Sequence, residues 1–188
     1  AFSTPAAEAF SELARLSGNK LIYSENVDGI IPSIEVILTP KKHKKLDVVF
    51  VIDATESMKD DIQKLRELLA ASLKKHLAQY DSYRIGLVLY KDYYDDFLTK
   101  TASDFTSDIN RFSAALKSFS VFGGRDIPEA VYEGIDASLD LEWRTDKDTD
   151  RRLILIGDAP PHPRPQGLIT KEGVIEAAKS KDVKLFPI

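Results

Sequence analysis

Three oxygen-bearing side chains, Asp53, Thr55 and Ser57, stand at alternate positions after a strongly apolar segment. That segment, 47–52, is short and rich in β-branched residues, which is typical of a strand buried on both faces. Helical spacing of leucines begins directly afterwards, in 58–79. Carboxylate and hydroxyl oxygens therefore gather where a central strand ends and a helix begins, which is where open α/β sheets bind ligands.

Two later loops carry further oxygen donors. Asp126 and Glu129 precede a helix, and Asp158 follows the apolar strand 152–156. The chain has no Cys, and these loops hold no pair of His, so the donors suit Mg²⁺, Mn²⁺ or Ca²⁺ far better than Zn²⁺. Because neutral hydroxyls leave such a cation electron-poor, a carboxylate from a partner could replace one of its waters. The three loops together predict a site for one hard divalent cation.

Each loop also has a simpler interpretation. Thr55 and Ser57 are favoured N-cap residues and could merely begin the following helix. Asp60 and Asp61 could complement the positive end of that helix dipole. The segment 126–129 could be only a helix start with proline in its first turn.

The three loops resemble those of the von Willebrand factor type A domain, whose metal-ion-dependent adhesion site begins with D-x-[ST]-x-S at the end of the first strand. The resemblance covers 46–188. It is strongest to the I-like domain of integrin β subunits, where the first motif continues S-M-K-D-D, as in 57–61, and the second loop reads D-x-P-E, as in 126–129. Position 55 is Thr rather than Ser, and integrin-like cysteines and a specificity loop of integrin length are absent.

The resemblance implies a role for each matching residue. Thr55 and Ser57 would bind the metal through their hydroxyls, and Glu129 directly or through water. Asp53 and Asp158 would act mainly through bound waters or hydrogen bonds.

Further acids match additional metal sites of integrin β chains. Asp60 and Asp61 correspond to an adjacent site, and Asp126 to a flanking one. The resemblance thus implies a binding module, not an enzyme, in which bound Mg²⁺, or Mn²⁺ or Ca²⁺, accepts an acidic side chain from a protein partner.

A phosphohydrolase of the haloacid dehalogenase type is an alternative, since an apolar strand ending in Asp53 and a later LILIGD, 153–158, also suit that class. Its chemistry needs an acid two residues after the first aspartate, where this chain has Thr55. It also needs an acid four residues past Asp158, where the chain has His162. We expect this loop histidine to be exposed and without a role. A metal-free structural domain is the third possibility.

The alternation of strands and helices predicts a three-layer α/β/α, Rossmann-like type A fold. Its sheet should be mostly parallel, with one antiparallel edge strand at 97–101, reached through a tight turn. Further strands are predicted at 83–90 and 183–187. The remaining helices are predicted at 108–119, 130–139 and 170–180.

The first 40 residues resemble the last helix and strand of a type A domain, with a helix at 5–16, a strand at 20–23 and a turn at 28–29. We expect one domain of 1–188 in which 1–40 supply these elements by circular permutation and 41–45 form a linker. Residues 5–23 should then lie beside 183–187. Alternatively, 1–40 belong to a preceding domain.

Composition narrows the classes further. A length of 188 residues fits one domain, and a net charge of −4 argues against nucleic-acid or anionic-membrane binding. No apolar run reaches the roughly 20 residues that span a bilayer. The sequence therefore predicts a soluble domain without a transmembrane or signal segment in this stretch, and it leaves the compartment, the oligomeric state and the partner open.

Overall fold

Five strands form the central sheet in the computed structural model, which describes residues 4–19, 21–22, 24, 27–40, 44–124, 128–163 and 169–188. The strands are β1 (Lys45–Asp53), β2 (Ser82–Tyr90), β3 (Thr99–Thr106), β4 (Thr149–Ile156) and β5 (Val183–Pro187). The helices are α1 (Thr4–Leu16), α2 (Val27–Leu38), α3 (Lys59–Leu77), α4 (Ile109–Ser118), α5 (Val131–Leu139) and α6 (Lys171–Ser180), and a short 3₁₀ turn, Glu56–Met58, precedes α3.

The sheet order is β3-β2-β1-β4-β5, and only β3 runs antiparallel. From β1 the chain proceeds to β2 and β3 on one side, then returns to β4 and β5 on the other. The carboxyl ends of β1 and β4 therefore form a topological switch point. The predicted fold class, including the antiparallel edge strand, is confirmed, although that strand begins at Thr99.

The two faces of the sheet bury separate hydrophobic clusters because side chains alternate along a strand. Val48, Phe50 and Ile52 of β1 pack with α2, α3 and α4. Val49 and Val51 pack with α1, α5 and α6 on the opposite face. This arrangement gives the three layers that the strand–helix alternation predicts.

The turn predicted at 28–29 is wrong, because these residues lie in the first turn of α2. Apolar residues of this segment, including Ile30, Ile34 and Leu38, are buried against the face of the sheet that α3 covers. Their helical spacing outweighs the local turn preference of Asp-Gly, since tertiary packing commonly overrides propensity.

The amino-terminal segment lies along the outer edge of β5. Helix α1 packs on β5, and after it the side chains of Ser17 and Asn19 donate to Leu185 O, at 3.4 and 2.9 Å. Ile22 N–H donates to Pro187 O at 3.4 Å.

The predicted strand 20–23 does not form at its described residues, Leu21 and Ile22. Between these described residues and β5 there is one backbone hydrogen bond, from Ile22 N–H to Pro187 O, whereas a strand pair needs a ladder of them. The circular permutation stays a prediction, and residues 41–43 of the predicted linker lie outside the described residues. In the described parts of the chain, no helix combines the length and the apolar character needed to cross a membrane.

Candidate functional site

The sequence-predicted donors meet at the carboxyl ends of β1 and β4. Asp53 is the last residue of β1, and Asp158 lies two residues beyond β4. The loop that carries Glu129 also reaches this end of the sheet. This is the switch point of the sheet, where ligand sites form in open α/β folds.

A continuous chain of polar contacts joins the first and third loops. Asp53 Oδ1 accepts from Thr55 N–H at 2.9 Å and from the Thr55 hydroxyl at 2.6 Å. Thr55 Oγ1 lies 3.2 Å from Ser57 Oγ, and the Ser57 hydroxyl lies 3.0 Å from its acceptor, Asp158 Oδ1. Four predicted site residues therefore share one connected polar cluster.

The helix-capping interpretation of Thr55 and Ser57 does not describe this geometry. Thr55 occupies the N-cap position of the 3₁₀ turn, but its side chain makes no capping hydrogen bond. Met58 precedes α3, which also begins without a side-chain cap. Both hydroxyls are instead directed into the cluster, where they are available to a ligand.

Glu129 is held against the third loop by its backbone. Its N–H donates to Pro160 O at 2.9 Å, and its carbonyl accepts from His162 N–H at 3.1 Å. Its carboxylate approaches the first loop beside Gly124. A Cβ atom at Gly124 would lie 2.9 Å from both Glu129 Oε1 and Thr55 Cβ. Gly124 also has a φ of +75°, a backbone conformation that favours glycine.

The two inner carboxylates are buried with unsatisfied oxygens. Asp53 is 0% exposed and Glu129 is 3% exposed. Among the described residues, Asp53 Oδ2 and Glu129 Oε2 have no hydrogen-bond partner. Such atoms are costly in a folded protein unless a ligand, ion or water completes them.

Burial also makes both groups weak acids. Burial raises the pKa of Asp53 to about 7, against hydrogen bonds from Thr55 that lower it. Burial raises the pKa of Glu129 to about 9, and the neighbouring charges of Asp53 and Asp92 add to the effect. Carboxylates that destabilise one another in this way are a good environment for a cation.

The donor set fits a hard divalent cation in its chemistry. In the parts of the chain that the structure describes, no three His, Cys, Asp or Glu side chains form a metal-ligating group. The donors gathered here are two hydroxyls with carboxylates, and Asp53 Oδ2 and Glu129 Oε2 have no partner within the described ranges. Oxygen donors of this kind suit Mg²⁺, Mn²⁺ or Ca²⁺.

The acids of the predicted additional sites are less closely connected. Asp60 and Asp61 both lie in the first turn of α3. Burial raises the pKa of Asp61, and the charges of Asp158 and Asp60 add to the effect. Asp126 lies outside the described residues, and both additional sites stay predictions.

A buried contact between a histidine and an aspartate beside the site was not expected from the sequence. His162 Nε2 lies 2.6 Å from Asp92 Oδ1, and both side chains are 1% exposed. The expectation of an exposed His162 is therefore wrong, because His162 lies against Asp92, just after the end of β2. Its expected lack of a role stays a prediction. The acid-rich segment 91–96 was the signal in the sequence that could have indicated this contact, but Asp92 and His162 are 70 residues apart in the chain.

The same segment supports the loop that precedes Glu129. Asp95 Oδ2 accepts from Gly124 N–H at 3.0 Å and from Asp92 N–H at 3.2 Å. Lys91, which is fully buried, pairs with Asp96 at 2.7 Å, and its ammonium lies 3.5 Å from the centre of the Phe122 ring. Segment 91–96 therefore fixes the path of the loop 119–124 at the edge of the site.

This fold and site define a known class of domain: the chain belongs to the von Willebrand factor A domain family, which matches residues 47–187. Membership indicates a protein-interaction module.

Two curated relatives are similar over part of the chain. The alpha-protein kinase vwkA of Dictyostelium discoideum is 32% identical over 129 residues, covering 62% of this chain and 19% of that protein. The putative ariadne-like RING finger protein R811 of Acanthamoeba polyphaga mimivirus is 28% identical over 117 residues, covering 62% of this chain and 11% of that protein. The chain thus matches less than a fifth of the length of either relative.

Solved structures share the fold at low sequence identity. BatB from Bacteroides thetaiotaomicron is 19% identical with a TM-score of 0.53, over 76% of this chain and 65% of that one. An aerotolerance-related membrane protein from Bacteroides fragilis is 18% identical with a TM-score of 0.54, over 76% of this chain and 66% of that one. At these identities the likeness concerns the fold alone.

Proposed function

We propose that this domain binds a protein partner through a divalent cation, with Mg²⁺ as the first choice and Mn²⁺ or Ca²⁺ as alternatives. One observation carries the proposal: two buried carboxylate oxygens, on Asp53 and Glu129, have no partner among the described residues and lie beside the neighbouring hydroxyls of Thr55 and Ser57. Thr55, Ser57 and Glu129 would hold the ion, and Asp53 and Asp158 would orient them.

Each of these residues has a distinct part in the proposed site. When bound, the ion supplies a Lewis-acidic position that an acidic side chain of the partner can occupy. Asp53 orients Thr55 through two hydrogen bonds, and Asp158 orients Ser57 through one. Because the hydroxyls of Thr55 and Ser57 are neutral, they leave the ion more of its charge for the partner than carboxylates would.

The surface around the cluster is suited to a protein. Ser57 is exposed at the rim, whereas Thr55 is buried beneath it. Tyr94 and Phe122 belong to the two segments beside the site and expose 64% and 47% of their surface. Exposed aromatic residues are common in protein-binding surfaces, where they supply large contact areas.

The phosphohydrolase alternative gains no support from the geometry. The side chain at position 55 is a hydroxyl that donates to Asp53, where phosphoryl transfer of that type requires a second acid. His162 Nε2 is already paired with Asp92. A binding function needs neither group as an acid or base.

The first experiment measures metal binding by calorimetry and thermal shift with Mg²⁺, Mn²⁺ and Ca²⁺. Wild type should gain apparent stability as the ion concentration rises, because the ion binds only the folded state. Ser57→Ala should lose most of this response. Ser118→Ala is the matched control, since Ser118 is also an exposed serine but donates to Ala115 O at the end of α4.

The second experiment identifies the chemistry of the partner with a random peptide library displayed on phage. Peptides retained by the wild-type domain in Mg²⁺ should share an Asp or Glu and should be released by EDTA. Ser57→Ala should retain none of them, and Ser118→Ala should retain them all. Retained peptides that lack acidic residues, or that EDTA does not release, would contradict the proposal.

A further inference from the structure

Tyr90 places a buried hydroxyl beneath the candidate site. It is the last residue of β2 and lies opposite Asp53, the last residue of β1, in the parallel register. Its side chain is 0% exposed. Within the described part of the protein, its hydroxyl has no hydrogen-bond partner. A buried phenol without a partner is uncommon, because tyrosine usually satisfies its hydroxyl when it is buried.

Two glycines make room for this side chain. A Cβ atom on Gly134 of α5 would lie 2.8 Å from Tyr90 Cδ1. A Cβ atom on Gly157, just after β4, would overlap the Tyr90 hydroxyl and lie 3.3 Å from Asp53 Cβ. The ring therefore passes between α5 and the end of β4, and its hydroxyl comes beside Asp53.

The surroundings of the hydroxyl are acceptors. Burial raises the pKa of Tyr90 well above its ordinary value, and the charges of Asp53, Asp158 and Glu129 raise it further. The phenol is thus a permanent donor among carboxylates. Asp53 Oδ1 already accepts from Thr55, whereas Asp53 Oδ2 is buried and has no partner in the part of the chain that the structure describes.

We propose that Tyr90 is a positioning residue of the site, whose hydroxyl supports Asp53 Oδ2 through one bridging water and thereby fixes the carboxylate that orients Thr55. This inference rests on the proposed metal-binding function and adds a residue to it. A bridging water is the suitable link because the two groups are neighbours without being in direct hydrogen-bond contact. Removing a residue that supports a metal site indirectly, through another side chain, commonly changes the metal affinity by 10–100-fold.

Tyr90→Phe tests the inference because it keeps the ring between the two glycines and removes only the hydroxyl. Its Mg²⁺ dissociation constant should rise about tenfold. The melting temperature without metal should change little, since the lost hydroxyl is linked to the described part of the protein only through the proposed water. The Thr55 amide, which donates to Asp53 Oδ1, should exchange its hydrogen faster in the metal-free variant.

Tyr80→Phe is the matched control. Tyr80 is also a buried tyrosine, but its hydroxyl donates to Leu38 O at 2.9 Å, and it belongs to the turn between α3 and β2. This variant should melt at a lower temperature while its Mg²⁺ affinity and Thr55 exchange remain those of wild type. The two variants should thus show opposite patterns.

The outcomes separate this inference from the proposed function. If wild type binds Mg²⁺ and Tyr90→Phe binds it equally well, the positioning role is overturned and the metal site stands. Unchanged Thr55 exchange in Tyr90→Phe would also overturn it. If wild type binds none of Mg²⁺, Mn²⁺ and Ca²⁺, the proposed function fails and the role of Tyr90 fails with it.

Discussion

Replacing Asp53 with asparagine should stabilise the metal-free domain at neutral and higher pH. The substitution keeps the shape and the oxygen that accepts from Thr55, but it removes the buried negative charge. Burial raises the pKa of Asp53 in the folded protein from 3.8 to about 7. A shift of this size corresponds to about 4 kcal/mol of differential stability between the two protonation states.

The sign follows from proton linkage. Well below pH 4, Asp53 is protonated in both the folded and the unfolded chain, so its charge has no effect on stability. As the pH rises from about 4 to about 7, the unfolded chain releases the proton first and the wild type loses stability. Allowing for local relaxation, Asp53→Asn should therefore gain about 2–4 kcal/mol at pH 8 and almost nothing at pH 4.

Thermal melts in EDTA between pH 4 and pH 9 measure this difference. For a domain of this size the gain at pH 8 corresponds to roughly 10 °C in the melting temperature. Saturating Mg²⁺ should then stabilise wild type, by about 2.7 kcal/mol at one hundred times the dissociation constant, and have little effect on Asp53→Asn. The stability gain and the lost metal response should appear in the same variant.

Asp47→Asn is the contrasting control. Asp47 lies on the same strand and is equally buried, but its oxygens accept from Arg84 at 2.6 and 2.9 Å and from Arg144 N–H at 2.8 Å. Removing its charge should destabilise the domain at every pH tested, because the buried pair is broken. Parallel pH profiles for wild type and Asp53→Asn, or a full Mg²⁺ response in Asp53→Asn, would refute the reasoning.

Two further predictions concern the backbone. Gly18→Ala should cost about 1 kcal/mol of unfolding free energy, because Gly18 has a φ of +79° but open space around it. Gly124→Ala should cost at least 1 kcal/mol more and weaken Mg²⁺ binding, because its Cβ would contact Glu129. Urea unfolding and calorimetry check both variants, and equal costs would contradict the predicted contact. Asn19→Ala should lose about 1 kcal/mol of unfolding free energy, because it removes the 2.9 Å hydrogen bond to Leu185 O. Its Mg²⁺ affinity should be unchanged, and a change of affinity would show that this edge of the sheet influences the site.

The amino-terminal contacts also suit the predicted circular permutation, which we retain as a proposal. A chain in which residues 1–40 follow residue 188, with new termini within 41–45, should fold and bind Mg²⁺ as the original order does. The contacts of Asn19 and Ile22 with β5 are the reason, since they are independent of the chain order. Failure of the reordered chain to melt cooperatively would count against the proposal.

Several features were predictable because they depend on local patterns. The apolar runs of β1 and β4 end on Asp53 and just before Asp158, so parallel strands necessarily bring those acids to one edge. Helix positions followed from periodicity, and α4, α5 and α6 begin and end within a residue or two of their predicted limits. The incorrect turn at 28–29 arose where a local Asp-Gly signal competed with burial of the α2 side chains.

The amino-acid sequence by itself determined the order of strands and helices from β1 onward, the family, and the kind of oxygen donors that arrive at the switch point. Only the tertiary structure decided which of those atoms are paired. Asp53 Oδ2 is left without a partner among the described residues, and His162 is buried against Asp92. The strand β5 is bordered by side chains from 17–19 because segments far apart in sequence meet there. Periodicity acts within one element, whereas the pairing of a buried polar atom depends on loop paths that no single segment specifies.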